Sequence, residues 1–97
     1  MRRLVVSLAV LVNAAAVQAQ GKANVEIVNE RQRALQVRVF DRRCEAWIYQ
    51  GNLIHEATVS VDCCADSGGR CNLSVYERPG HRHDYKGVLG TIFLRGN

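Results

Sequence analysis

From Val25 onward the chain alternates apolar and polar residues with a period of two. Val25 and Ile27 flank Glu26; Leu35, Val37 and Val39 flank Gln36 and Arg38, and Phe40 closes that run. Ala57, Val59, Val61 and Cys63 alternate with Thr58, Ser60 and Asp62, and Cys71, Leu73 and Val75 alternate with Asn72, Ser74 and Tyr76. Successive side chains of a strand point to opposite faces, so each run predicts a strand with one face buried and one wet. Trp47-Ile48-Tyr49 and Leu53-Ile54 read as two shorter pieces separated by a Gln50-Gly51-Asn52 turn, and Val88 to Leu94 reads as a final strand. The polar stretch Asn29 to Arg33 predicts a hairpin turn. Asp66-Ser67-Gly68-Gly69 is the strongest turn signal, and Glu77 to Lys86 reads as a long polar loop opened by Pro79-Gly80. No ten-residue segment carries a helical period, and there is no repeat, low-complexity tract or internal linker. The pattern predicts an all-β fold: a small antiparallel β-sandwich, immunoglobulin-like in arrangement, with six or seven short strands.

The segment before this pattern differs in kind. Met1-Arg2-Arg3 is a short positive region, Leu4 to Val12 is apolar, and Val17 and Ala19 are small enough for a signal peptidase. The expectation is a secretory signal peptide over 1–19, cut after Ala19, and a single domain over 20–97. The apolar core is shorter than the roughly 20 residues a bilayer requires, so no stable membrane insertion is expected after cleavage. The protein is therefore expected to be secreted or periplasmic. Loss of Arg2 and Arg3 takes the formal charge from +4 to +2, which removes the basic excess a nucleic-acid binder usually shows. What remains is a preference for Arg over Lys.

Export changes the meaning of the cysteines. The chain has four, Cys44, Cys63, Cys64 and Cys71, an even number delivered to an oxidising compartment. Two disulfides are expected; the spacing fits no zinc motif. By parity, Cys63 is in phase with Val59 and Val61, and Cys71 is in phase with Leu73 and Val75. Both point inward from strands joined by the Gly-Gly turn, which favours a Cys63–Cys71 bridge and leaves Cys44 for Cys64. The alternative, Cys44–Cys63 with Cys64–Cys71, stays open on sequence alone.

Candidate chemistry is sparse. His81, His83 and Asp84 could ligate copper or zinc, with His55 as a further ligand, or His55 and His83 could form an acid–base pair beside arginines. Neither arrangement has a required spacing in the chain. No serine sits in a nucleophile elbow, paired cysteines are not nucleophiles, and Gly68-Gly69 opens no helix to hold phosphate. The sequence is thus read as non-enzymatic, without a metal or other cofactor. Trp47 and Tyr49 are expected on one side of a strand, in the core in preference to a sugar- or peptide-binding platform, and Tyr85 is the better exposed aromatic.

The expectation from these features is a small exported binding protein acting on a protein or cell-envelope partner. The alternatives are a weak metal binder or small hydrolase using His81, His83 and Asp84, and a secreted toxin or inhibitor. Partner contact is expected in the long loop, at Arg78, His81, Arg82, His83, Asp84, Tyr85 and Lys86, because loops carry binding on rigid scaffolds and this one exceeds the usual hairpin length.

Overall fold

A computed structural model describes residues 21–96; the expected signal peptide and its cleavage point lie outside the described residues. Seven strands follow one another: β1 (Gly21–Asn29), β2 (Leu35–Asp41), β3 (Ala46–Leu53), β4 (Thr58–Ala65), β5 (Cys71–Arg78), β6 (Arg82–Val88) and β7 (Thr91–Leu94). They form one mixed sheet ordered β3-β2-β5-β4-β1-β7, with β6 paired to β5. Its two halves meet at a single pair, Ala65 opposite Cys71.

The alternating positions do what their period dictates. Val25 and Ile27 of β1, Leu35, Val37 and Val39 of β2, Val61 of β4, Leu73 and Val75 of β5 and Ile92 and Leu94 of β7 are buried in one hydrophobic cluster. Each such side chain contributes roughly 1.5–3 kcal/mol when fully removed from water. In a domain this small two disulfides add constraint. Cys63 bonds Cys71 and Cys44 bonds Cys64, with Cα atoms 6.2 and 5.8 Å apart, inside the range a disulfide spans without distortion.

Four local expectations give way to the tertiary structure. Asn29 to Arg33 is no hairpin, because β1 pairs with β4 and β7 while β2 pairs with β3 and β5. The buried Asn29 explains the crossing: its Nδ2 donates to the carbonyls of Arg33 and Leu53 at 2.9 and 2.8 Å, and its Oδ1 accepts the Arg31 N–H at 2.9 Å. Gln50-Gly51-Asn52 is strand, not turn. A Cβ on Gly51 would lie 2.5 Å from the Tyr49 hydroxyl, so this glycine makes room for a ring.

The final segment is broken at Leu89-Gly90, where Gly90 has φ +93°, and β7 then runs parallel to β1, so the sheet is mixed and not purely antiparallel. Most consequential is the long loop. Glu77 and Arg78 end β5, only Pro79-Gly80-His81 turn, and Arg82 to Val88 are β6, paired antiparallel with β5. The alternation was present, but His83 and Tyr85 carried it in place of aliphatic residues.

Candidate functional site

The residues expected in the loop divide by strand parity into two faces. Val75 lies opposite His83 and Leu73 opposite Tyr85, on the core side; Ser74 lies opposite Asp84 and Tyr76 opposite Arg82, on the outer side. His81 precedes the strand, exposed, with its ring 5.6 Å from that of His83. Lys86 is exposed, and Arg78 ends β5 opposite Gln36. His81, His83 and Asp84 are therefore not one constellation. The Asp84 carboxylate accepts the Ser74 hydroxyl at 2.7 Å and an Arg82 N–H at 3.2 Å, and the Ser74 hydroxyl foremost, then Arg82 and Arg42, holds its pKa below the usual carboxylate value.

On the core side, His83 Nε2 sits 3.5 Å from Oε2 of Glu77. That carboxylate, whose side chain is 1% exposed, is already taken by Arg31, which donates from Nε at 2.6 Å and from Nη2 at 3.2 Å. His55 belongs to a different contact, its Nδ1 donating to the Arg31 carbonyl at 2.6 Å. Tyr85 packs against the core and is not the exposed aromatic; burial, then the Glu77 charge, pushes its pKa above the ordinary value. Among the described residues the group close enough to share a metal ion is Asp41, Cys44 and Cys64, and those two sulfurs are bonded to each other. Asp41 instead accepts the N–H groups of Arg43 and Cys44 on Oδ1 at 3.0 and 3.2 Å and that of Cys64 on Oδ2 at 2.7 Å, which pins the chain around the bridge.

The outer face of β3-β2-β5-β6 holds what the loop reading missed. The register places Gln50, Arg38, Tyr76 and Arg82 in one row across the four strands, with Asn52, Gln36 and Arg78 in the next row toward the turn. On the other side of that row, a β-bulge between Val39 and Phe40 sets Phe40 opposite Trp47 but Val39 opposite Tyr49. The extra residue sends the two aromatics to opposite faces. Tyr49 packs on the core, and Trp47, expected inside, is 50% exposed on the outer face.

There the rings and guanidinium groups interleave. Phe40 meets Trp47 edge-on with centroids 5.1 Å apart, and Tyr76 lies 5.3 Å from Trp47. The Arg38 guanidinium is 4.4 Å from the Trp47 ring centre and 5.5 Å from that of Tyr76, and Arg82 is 5.9 Å from Tyr76. Such contacts are worth ~0.5–1 kcal/mol each at exposed sites, enough to fix a guanidinium plane while leaving its N–H edge in water. Among the described residues neither Arg38 nor Arg78 has a carboxylate partner, whereas Arg82 pairs with Asp84. A groove of about 790 Å³ runs along this face, lined by Gln36, Arg38, Gln50, Asn52, Tyr76 and Arg82, with the Pro79-Gly80 turn at one end.

No family model matches the chain, and no curated protein or solved structure matches it either.

Proposed function

We propose that this is a small exported binding protein, without catalysis of its own, that engages a cell-envelope or protein partner through the outer face of β3, β2, β5 and β6. The observation that carries the reading is Trp47. A half-exposed tryptophan inside an arginine-rich aromatic cluster is costly to leave in water, and Trp, Tyr and Arg are the residue types that dominate binding hot spots. Two disulfides support an oxidising, non-cytoplasmic setting, and among the described residues no helix is long and apolar enough to cross a membrane. We propose too that the halves β4-β1-β7 and β3-β2-β5-β6 close on each other as an immunoglobulin-like sandwich, a reading supported by their junction at one residue pair and by the single hydrophobic cluster to which both contribute. Methyl–methyl NOEs between core residues of β1 and β2 test that closure.

Trp47 is the only tryptophan of the chain, so its emission reports on the face directly. Titration with fractionated envelope material should shift that emission and retain the protein, and Arg38→Gln should weaken both. Retention that is indifferent to Arg38→Gln and leaves Trp47 emission unmoved would place binding elsewhere.

A further inference from the structure

Building on that reading of the face, we propose that its ligand is a linear polysaccharide bearing carboxylate groups. Three features of the face converge on this chemistry. First, Arg38 and Arg78 present guanidinium groups without a protein carboxylate among the described residues, one row apart on adjacent strands β2 and β5. Arginine binds carboxylates through two parallel N–H donors, and the stack of Trp47, Arg38 and Tyr76 holds one such fork in place before any ligand arrives. The charge to be complemented is therefore negative and falls at two neighbouring points, as successive charged units of one chain would supply.

Second, the groove wall opposite the arginines is made of amides. Gln50 faces Arg38 and Asn52 faces Gln36 across β2 and β3, and all three amide residues line the groove. An amide side chain both donates and accepts, as a sugar hydroxyl does. A wall of carboxylates or further cations would not suit a polyhydroxylated chain; this one does.

Third, Trp47 stacks on Arg38 of the groove and is half in water, and the part of its ring that Arg38 leaves uncovered is a flat apolar surface next to the groove. The C–H face of a pyranose ring covers such a surface while its hydroxyls remain free to reach amides. The strands that carry Arg38 and Arg78, β2 and β5, are paired on both sides, so an extended peptide could add only along the outer edge of β3 or β6, a strand away from these guanidinium groups. That separates the glycan from an acidic peptide. A single-stranded nucleic acid shares the stacking and the anionic charge, and becomes an outcome of the test.

The test uses the full chain produced in an oxidising compartment, with Trp47 emission as readout and four probes: polygalacturonate, neutral dextran, polyglutamate and single-stranded DNA. Polygalacturonate should bind and shift the emission, dextran should bind at least about tenfold more weakly, and Arg38→Gln and Arg78→Gln should each weaken the polyuronate about tenfold, the scale expected for one lost charge-assisted contact. Lys22→Gln, which removes a cation from exposed β1 outside this face, should change nothing. Polyglutamate or DNA binding as tightly as polygalacturonate, or an equal loss with Lys22→Gln, overturns the proposal. If no polymer binds while envelope retention still depends on Arg38, the ligand class is wrong and the binding face stands; if that dependence is absent as well, both readings fall.

Discussion

Arg31 and Glu77, 46 residues apart in sequence, form a two-pronged ion pair, with Nε donating to Oε1 at 2.6 Å and Nη2 to Oε2 at 3.2 Å. The pair ties the crossing between β1 and β2 to the end of β5, and Arg31 Nη1 also donates to the carbonyl of Arg95 after β7. Removing Glu77 takes the charged acceptor from the half-buried Arg31 and leaves it the Arg95 carbonyl; breaking a buried pair at one partner typically costs about 3–5 kcal/mol, whereas replacing both by apolar groups of similar size is often near neutral. Glu77→Ala should therefore lower the urea midpoint severely, and Arg31→Met combined with Glu77→Leu should recover most of the loss. A double variant as unstable as Glu77→Ala would mean that the ions are not what holds the junction.

Asp41 makes a second prediction of the same kind. It is fully buried, and it accepts three backbone N–H bonds around the Cys44–Cys64 bridge. Asp41→Ala should destabilise by about 2–4 kcal/mol, because buried N–H groups then lose a charged acceptor. Amide exchange should accelerate first at Cys44 and Cys64. Unchanged protection there would mean the carboxylate is dispensable to the bridge.

The strands carried by aliphatic alternation, β1, β2, β4 and β5, were legible because the period of two is written in residues that leave water. β6 was not. Its inward positions are His83 and Tyr85, amphipathic rings, and its outward positions Arg82, Asp84 and Lys86 are charged, so hydropathy averages the strand into a loop. Trp47 escaped for another reason: one bulge residue in β3 inverts the parity of everything before it, and nothing in Trp47-Ile48-Tyr49 marks the bulge. The disulfide partners followed from parity because Cys63 and Cys71 lie in regular runs. Candidate contact residues Arg78 and Arg82 do line the outer face, but that Arg38 and Tyr76 join them depends on strand order, which is a long-range property.

That reassignment of β6 is itself testable. His83 and Tyr85 sit opposite Val75 and Leu73 on the core side, and Tyr85 packs against the cluster. Replacing Gly80 through Tyr85 by Asn-Gly removes most of the strand and strips β5 of a neighbour, so the fold should be lost or severely weakened. A cooperative unfolding transition within about 1 kcal/mol of the parent, the scale of an ordinary surface change, would return this segment to a loop.

The two bridges should open in a fixed order. Cys63 and Cys71 are buried, while Cys44 is exposed within the turn between β2 and β3, and thiol–disulfide exchange needs access to sulfur. Mild reduction followed by alkylation and mass mapping should label Cys44 and Cys64 first, and Cys63 and Cys71 only on unfolding. On the chain-entropy scale the loops of the two bridges are worth about 3.3 and 2.6 kcal/mol, so loss of either leaves a weakened domain. Early labelling of Cys71 would mean that the β4–β5 junction opens before the Cys44 turn.

Alkaline pH should bear on Tyr85 in a defined direction. Burial disfavours its phenolate, and the adjacent Glu77 carboxylate adds repulsion, so the folded protein holds the phenolic proton more tightly than the unfolded chain does. The unfolded state then loses its proton first. The stability this group contributes is fully present below the ordinary value of 10.0 and is lost as pH rises from there through the raised folded value. Tyr85→Phe keeps the ring against Leu73 and removes the titration. Urea midpoints measured from pH 8 to pH 11 should fall more steeply for the parent than for Tyr85→Phe, with the two curves separating above pH 10. Parallel curves would show that the ring is solvated in the folded protein, and would remove the inward placement of β6 on which the division between its two faces depends.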